Sequence, residues 1–234
     1  MENSYVILIS GTSKGIGKHL AEYYLKKNYT VIGCSRSKSA IDSPGYSHYE
    51  IDITDEKNIK TMMLDIRTRF KKLDVVINNA AVKQTGLVVF SSLKDAKESF
   101  ETNMLGSFLI CRESVKIMTR NRYGRIINIT SIAVPLPTRG SGIYGATKAA
   151  LEQFTRVLAR EVASDKITVN NIGFSFVKEG NMIDSVKEDE RNAILQQTIL
   201  NKEAGIDDIT HTIDFFISPE SRLISGQTIY IGGV

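Results

Sequence analysis

Apolar residues in this chain gather into short runs, separated by stretches where apolar and charged residues mix at helical spacing. Seven runs stand out: YVILIS (5–10), TVIGCS (30–35), YEID (49–52), DVVIN (74–78), RIINIT (125–130), ITVNNI (167–172) and TIYIG (228–232). Their β-branched, nearly continuous hydrophobicity is that of strands buried on both faces. Segments 16–27, 55–70, 93–120, 144–164 and 206–217 carry the spacing of helices that bury one face. Strand and helix alternate along the whole length, which predicts an α/β fold: a doubly wound, Rossmann-like parallel sheet of about seven strands with helices on both faces. Pro44, Pro135, Pro137 and Pro219 all fall between the elements, and no linker or repeat divides the chain, so residues 1–234 are expected to form one domain.

Composition changes this picture little. With 42% hydrophobic and 24% charged residues the chain has the make-up of an ordinary soluble globule. The net charge of +4 is spread among interleaved acids and bases, which argues against a nucleic-acid partner. Its densest basic run, TRNRYGR (119–125), reads as a solvated helix end. Cys34 and Cys111 lie in different elements without C-x-x-C spacing, so neither a disulfide framework nor a metal site is signalled. The N-terminus lacks the basic segment of a signal peptide, and no run approaches the ~18 apolar residues of a membrane span. A cytoplasmic protein acting on a small molecule is expected.

Chemistry enters at ISGTSKGIG, where the first strand gives way to the first helix. Gly11, Gly15 and Gly17 permit a tight turn and the close approach of a ligand, while the exposed N–H groups and positive end of the following helix attract phosphate. In an open parallel sheet this turn borders the crevice where dinucleotides bind. The spacing is G-x-x-x-G-x-G, and the same pattern can serve as a ligand-free connection. Lys14 in the turn and Arg36 just past the second strand sharpen the reading. An acid at the second place would bond a free ribose 2′-hydroxyl; here Ser35 and Arg36 suit a 2′-phosphate, so NADP(H) is preferred to NAD(H).

A second constellation lies later in the chain. Tyr144 and Lys148 in YGATK sit one turn apart on a helix, where an ammonium favours the phenolate and would lower the phenol's pKa. Ser131 ends the fifth strand at the same sheet edge, and Asn103 lies in the preceding long helix. Each has a plain structural reading as surface pair, cap or satisfied polar group. Their joint occurrence with the glycine turn is what points to acid–base chemistry.

In these motifs the sequence resembles the short-chain dehydrogenase/reductase family, in its single-domain branch that includes the 3-oxoacyl-acyl-carrier-protein reductases. The matching stretches are GTSKGIG (11–17), Asp52–Ile53, NNAA (78–81), Asn103, Ser131 and YGATK (144–148). The resemblance implies an NADP-dependent oxidoreductase that reduces a ketone or 3-oxoacyl carbonyl. Tyr144 would be the general acid and Ser131 the hydrogen-bond donor to the substrate oxygen. Lys148 would depress the tyrosine's pKa and hold the nicotinamide ribose, and Asn103 would position a water. Ser13 and Ile16 join the glycines and Lys14 as expected cofactor contacts. Asp52 and Ile53 are expected at the adenine, and Asn79, Ala80, Ala81 and Val177 further along the cofactor. The family implies no metal. It also implies a homo-oligomer, tetramer or dimer, that buries the long helices and the chain's end, and a substrate that is free or carried on a protein.

Departures from the family pattern cluster after the sixth strand. Phe174 and Ser175 stand in place of the usual Pro-Gly, Glu179 in place of a threonine, Ala81 in place of a glycine and Gly232 in place of an aspartate. A shifted loop is expected there. Segment 174–205 reads either as a mobile cover over the substrate, with Phe174, Phe176 and Met182 as its apolar contacts, or as an ordinary amphipathic helix. Arg139 either steers an anionic substrate or is solvated. Two alternatives stay open: a nucleotide-binding sensor that has lost turnover, and an alcohol dehydrogenase working in the oxidative direction.

Overall fold

The computed structural model describes residues 5–178 and 188–234. Seven strands form one parallel sheet: β1 (Val6–Ser10), β2 (Thr30–Ser35), β3 (Tyr46–Glu50), β4 (Val75–Asn78), β5 (Gly124–Ile129), β6 (Ile167–Gly173) and β7 (Thr228–Tyr230). Their order is β3-β2-β1-β4-β5-β6-β7, so the winding reverses between β1 and β4. That reversal leaves a crevice beyond the carboxyl ends of the central strands.

Helices cover both faces. α1 (Gly15–Lys26) and α7 (Ile206–Ile217) pack on one, through Leu20, Ala21, Tyr24, Ile213 and Phe216. α2 (Glu56–Phe70), α4 (Ser107–Asn121) and α5 (Gly142–Glu161) pack on the other, through Ile59, Met62, Ile110, Met118 and Leu158. The sheet is thereby dry on both sides: Ile7, Leu8, Ile9, Val75, Val76 and Ile77 are wholly buried. Each such side chain contributes on the order of 1.5–3 kcal/mol by leaving water.

Three elements differ from the sequence reading. β3 begins and ends earlier than 49–52, because its register is set by pairing with β2, from Val31 opposite Tyr46 to Ser35 opposite Glu50. As an edge strand of mixed polarity it gives a weak apolar signal. The long helix expected at 93–120 is divided into α3 (Leu93–Phe100), a π-helical turn (Glu101–Gly106) and α4. Asn103 in that turn binds the backbone of Val82 both ways, accepting from its N–H at 2.8 Å and donating to its carbonyl at 2.9 Å. β7 stops before Gly232 and Gly233, which take φ of +93° and +76°. α6 (Glu188–Leu195) completes the set, and no described helix is long and apolar enough to cross a membrane.

Candidate active site

The glycine turn closes against β4. Gly11 (φ +79°) and Gly15 (φ +57°) take left-handed conformations that other residues adopt only under strain. A side chain on Gly17 would place its Cβ 2.2 Å from the Gly11 carbonyl oxygen and 2.6 Å from Asn79 Nδ2, so this glycine lets α1 sit directly on the turn. Ser10 Oγ accepts from the N–H groups of Asn79 and Ala80, both at 3.0 Å, and this locks the end of β4 beside the turn.

α1 starts at Lys14 with no side-chain cap and no acid in its first turn. Its first N–H groups therefore have no side-chain cap, a donor set matched to phosphate. Lys14 and Arg36 are both exposed, and neither pairs with an acid among the described residues. Together these groups fit a phosphate-bearing dinucleotide.

A cavity of about 460 Å³ runs from this turn along the strand ends. Ser13, Lys14, Ile16 and Arg36 line its first part. Asp52, Ile53, Asn79, Ala80 and Ala81 form the middle, and Tyr144, Lys148 and Val177 the far end. Of the sequence-predicted contacts, Gly17 instead lies beneath the wall as a packing position. Ser131 and Asn103 lie just behind it. Asp52 is braced by Thr54, whose N–H and hydroxyl both donate to Oδ1 at 2.9 Å. Ile53 fits because Gly106 has no side chain; a Cβ there would lie 2.7 Å from Ile53 Cδ1.

At the far end α5 presents Tyr144 and Lys148 on one buried face. Tyr144 shares a hydrogen bond with Ser131, and Ser131 Oγ also accepts from the Ala133 N–H at 3.1 Å. Lys148 Nζ donates to the Ile129 carbonyl at 2.7 Å and stands 5.8 Å from the centre of the Tyr144 ring. Asn103 Nδ2 donates to Thr147 Oγ1 at 3.0 Å, which ties the π turn to α5 next to Lys148.

The electrostatics correct one expectation. The phenol of Tyr144 is pushed up to about 12 by burial, only partly opposed by its bond to Ser131. Burial pushes the Lys148 amine down to about 8. The expected lowering of the phenol by the ammonium is absent, because both groups lie in a dry wall where each charged form is disfavoured. Tyr144 is therefore a protonated phenol throughout the physiological range.

The chain is similar to known proteins over nearly its whole length. A family model described as enoyl-(acyl carrier protein) reductase matches residues 11–233. The 3-oxoacyl-[acyl-carrier-protein] reductase FabG of Escherichia coli (strain K12) is 30% identical, across 97% of this chain and 96% of its own. The chain belongs to the short-chain dehydrogenase/reductase family. Among solved members, ElxO with NADP bound superimposes with a TM-score of 0.89 at 28% identity, covering 97% of both chains. A short-chain dehydrogenase from Leptospira borgpetersenii serovar Hardjo-bovis (strain JB197), with bound NAD+, does so with a TM-score of 0.89 at 25% identity, covering 98% of this chain and 92% of that one. As a short-chain dehydrogenase/reductase, the protein is an oxidoreductase.

Within that family frame, the departures have structural accounts. Phe174 and Ser175 avoid positive φ, so the segment after β6 takes a path open to ordinary residues. Phe174 and Phe176 are buried and line the cavity. The loop is pinned by pairing with Ala204, whose N–H donates to the Phe176 carbonyl at 3.0 Å, and Lys83 Nζ stands 5.3 Å over the Phe176 ring. Ala81 also avoids positive φ, which leaves room for its methyl group. Glu179 and Met182 lie outside the described residues, as do the other positions from 179 to 187 of the expected cover. Arg139 is exposed and borders a second, open groove of about 600 Å³ with Glu190 and Gln197.

Sequence reading missed Ser37, Thr102 and Thr130 in the cavity wall. It also missed the side chains behind the ribose loop, Thr12, Tyr46 and His48. Thr12 lay inside the glycine turn, and Tyr46 and His48 in an edge strand read as starting three residues too late.

Proposed function

We propose that this protein is an NADP(H)-dependent carbonyl reductase, converting a ketone or 3-oxoacyl group, free or carried on an acyl carrier protein, to an alcohol. The observation that carries the reading is the buried, protonated Tyr144, bonded to Ser131 at the cavity end with Lys148 one turn away. Reduction needs an acid at the carbonyl oxygen, whereas oxidation needs a base there. A phenol at about 12 is poorly placed as a base near neutrality, but it remains a far stronger acid than the alcohol formed.

Lys14, Arg36 and the first N–H groups of α1 would hold the phosphates, and Asp52 and Ile53 the adenine. When bound, NADPH supplies the hydride. Tyr144 gives its proton to the substrate oxygen, and Ser131 donates a hydrogen bond to that oxygen as charge develops on it. Lys148, fixed by Ile129, would hold the nicotinamide ribose beside Tyr144. Asn103 sets the position of α5 through Thr147.

Helix α6 flanks the second groove and would bound the substrate, with Arg139 able to meet an anionic carrier. FabG relatives that act on 3-oxoacyl-[acyl-carrier-protein] support this substrate class, and ElxO with bound NADP supports the cofactor. The neighbour with NAD+ makes nucleotide preference the first thing to measure. We place the enzyme in the cytoplasm as a homo-oligomer, tetramer or dimer.

The test is a reduction assay with a 3-oxoacyl thioester and NADPH, run on wild type and Tyr144→Phe. The variant is expected to lose about 10²–10⁴-fold in kcat with NADPH affinity unchanged. Retention of more than a tenth of wild-type turnover would sink the acid role. NADPH binding without turnover on any carbonyl or alcohol would favour a sensor.

A further inference from the structure

His48 lies on the edge strand β3, opposite Gly33 of β2, and none of the motifs above includes it. Its imidazole joins the two loops that flank the adenosine end of the cavity. On one side Nε2 stands 3.0 Å from the Ser37 carbonyl and 3.3 Å from Ser35 Oγ. On the other, Nδ1 stands 2.9 Å from the Tyr46 hydroxyl, which in turn bonds Thr12 Oγ1 at 2.9 Å, inside the glycine turn.

Hydrogen-bond bookkeeping fixes the tautomer. The Ser37 carbonyl only accepts, and the single proton of Ser35 Oγ is spent on the same carbonyl at 2.7 Å. Nε2 must therefore carry a proton and donate it. Nδ1 faces the Tyr46 hydroxyl, and that hydroxyl donates to Thr12 Oγ1 to continue the chain.

The arrangement is built into the sheet. A side chain on Gly33 would put its Cβ 2.1 Å from the Tyr46 oxygen and 2.3 Å from Thr12 Oγ1, so the slot exists only because that position is glycine. Thr12 itself is wholly buried. The result is a continuous tie from the phosphate turn, through Tyr46 and His48, to the backbone of Ser37, the residue after Arg36. Arg36 is exposed and has no acid to hold it among the described residues, so its aim depends on this backbone.

We propose that His48 is a positioning residue for the ribose loop, holding Arg36 where it meets a 2′-phosphate and thereby setting discrimination between NADP(H) and NAD(H). This rests on the nucleotide reading given above. It concerns binding, so it is tested without turnover, by fluorescence titration of NADPH and NADH against wild type, Arg36→Ala, His48→Leu, His48→Gln and Tyr46→Phe.

His48→Leu is expected to weaken NADPH about tenfold while NADH stays within about twofold, because only NADPH carries the 2′-phosphate that Arg36 would meet. His48→Gln, whose amide can donate to the Ser37 carbonyl, is expected to recover most of that loss. Tyr46→Phe keeps the ring and removes the link to Thr12, and is expected to cost about threefold on NADPH alone. It carries the test if thermal melting shows His48→Leu unfolded. A folded His48→Leu, or a folded Tyr46→Phe in its place, with an unchanged NADPH/NADH ratio while Arg36→Ala abolishes the preference, overturns this proposal alone. Equal weakening of both nucleotides overturns it too, as the mark of a general packing role. A wild type indifferent to the two nucleotides, with Arg36→Ala changing nothing, removes the NADP(H) reading and this proposal with it.

Discussion

The two ends of the cavity are held by polar networks of opposite kind. At the adenosine end, Thr12, Tyr46, His48, Ser35 and Ser37 form a chain at the sheet's edge that is in part solvent-exposed. Beneath the nicotinamide end runs a buried ladder. Asn78 Nδ2 donates to Asn128 Oδ1 at 2.7 Å, Asn128 Nδ2 to Thr155 Oγ1 at 2.8 Å, Thr155 Oγ1 to Asn171 Oδ1 at 2.7 Å, and Asn171 Nδ2 to Thr228 Oγ1 at 3.0 Å. That ladder crosses β4, β5, α5, β6 and β7 and fixes α5, which carries Tyr144 and Lys148, against the sheet. Broken bonds there meet no water, whereas bonds at the edge are replaced by solvent at small cost. The proposed reacting groups thus rest on a buried network and the proposed selecting loop on a partly exposed one.

The sharpest way to break this contrast is at the junction between the ends. Gly17→Ala drives a methyl group into the Gly11 carbonyl, a backbone atom that cannot move aside. A loss of about 3 kcal/mol in unfolding free energy is expected, with NADPH and NADH weakened alike, read by denaturant titration and nucleotide binding. Binding that stays intact would show that the turn tolerates a shift of α1.

Thr155→Val cuts the buried ladder at its centre and leaves the Asn128 amide and Asn171 carbonyl unpaired. A loss of about 2–3 kcal/mol in unfolding free energy is expected by denaturant titration, with no change in the ratio of NADPH to NADH affinity. A change in that ratio would mean the two ends are coupled.

Lys148→Met tests the charge buried at the reacting end. In the fold this amine sits at about 8, below its ordinary 10.5, so the folded state resists the proton that the unfolded chain keeps. Wild-type stability therefore rises with pH between those values, and below pH 8 the buried charge carries its full cost. After subtracting the lost bond to Ile129, the variant should be more stable by about 2 kcal/mol at neutral pH. The gain should fade as pH approaches 10.5 in thermal melts, while turnover is lost. A pH-independent difference would place the amine's folded-state pKa near its ordinary value.

Much of this was legible in the chain. Near-continuous apolar runs gave six of the seven strands to within a few residues, because strands buried on both faces leave little ambiguity. The glycine turn and the one-turn spacing of Tyr144 and Lys148 were readable because both are local patterns. The edge strand was misplaced because a half-exposed strand carries little apolar signal. The break at Glu101–Gly106 was missed because the bonds that stabilise it come from Val82 and Thr147, distant in sequence.

The sequence by itself determined the doubly wound sheet, the place of the phosphate turn and the residue types available for proton transfer, since these follow from short-range periodicity and composition. Only the tertiary structure decided the protonation of Tyr144 and Lys148, the reach of His48 to both loops beside the cavity, and the burial of Phe174 and Phe176 in the wall. Those outcomes depend on burial and on contacts between residues far apart in the chain, and no local pattern encodes the field or the packing that distant elements create.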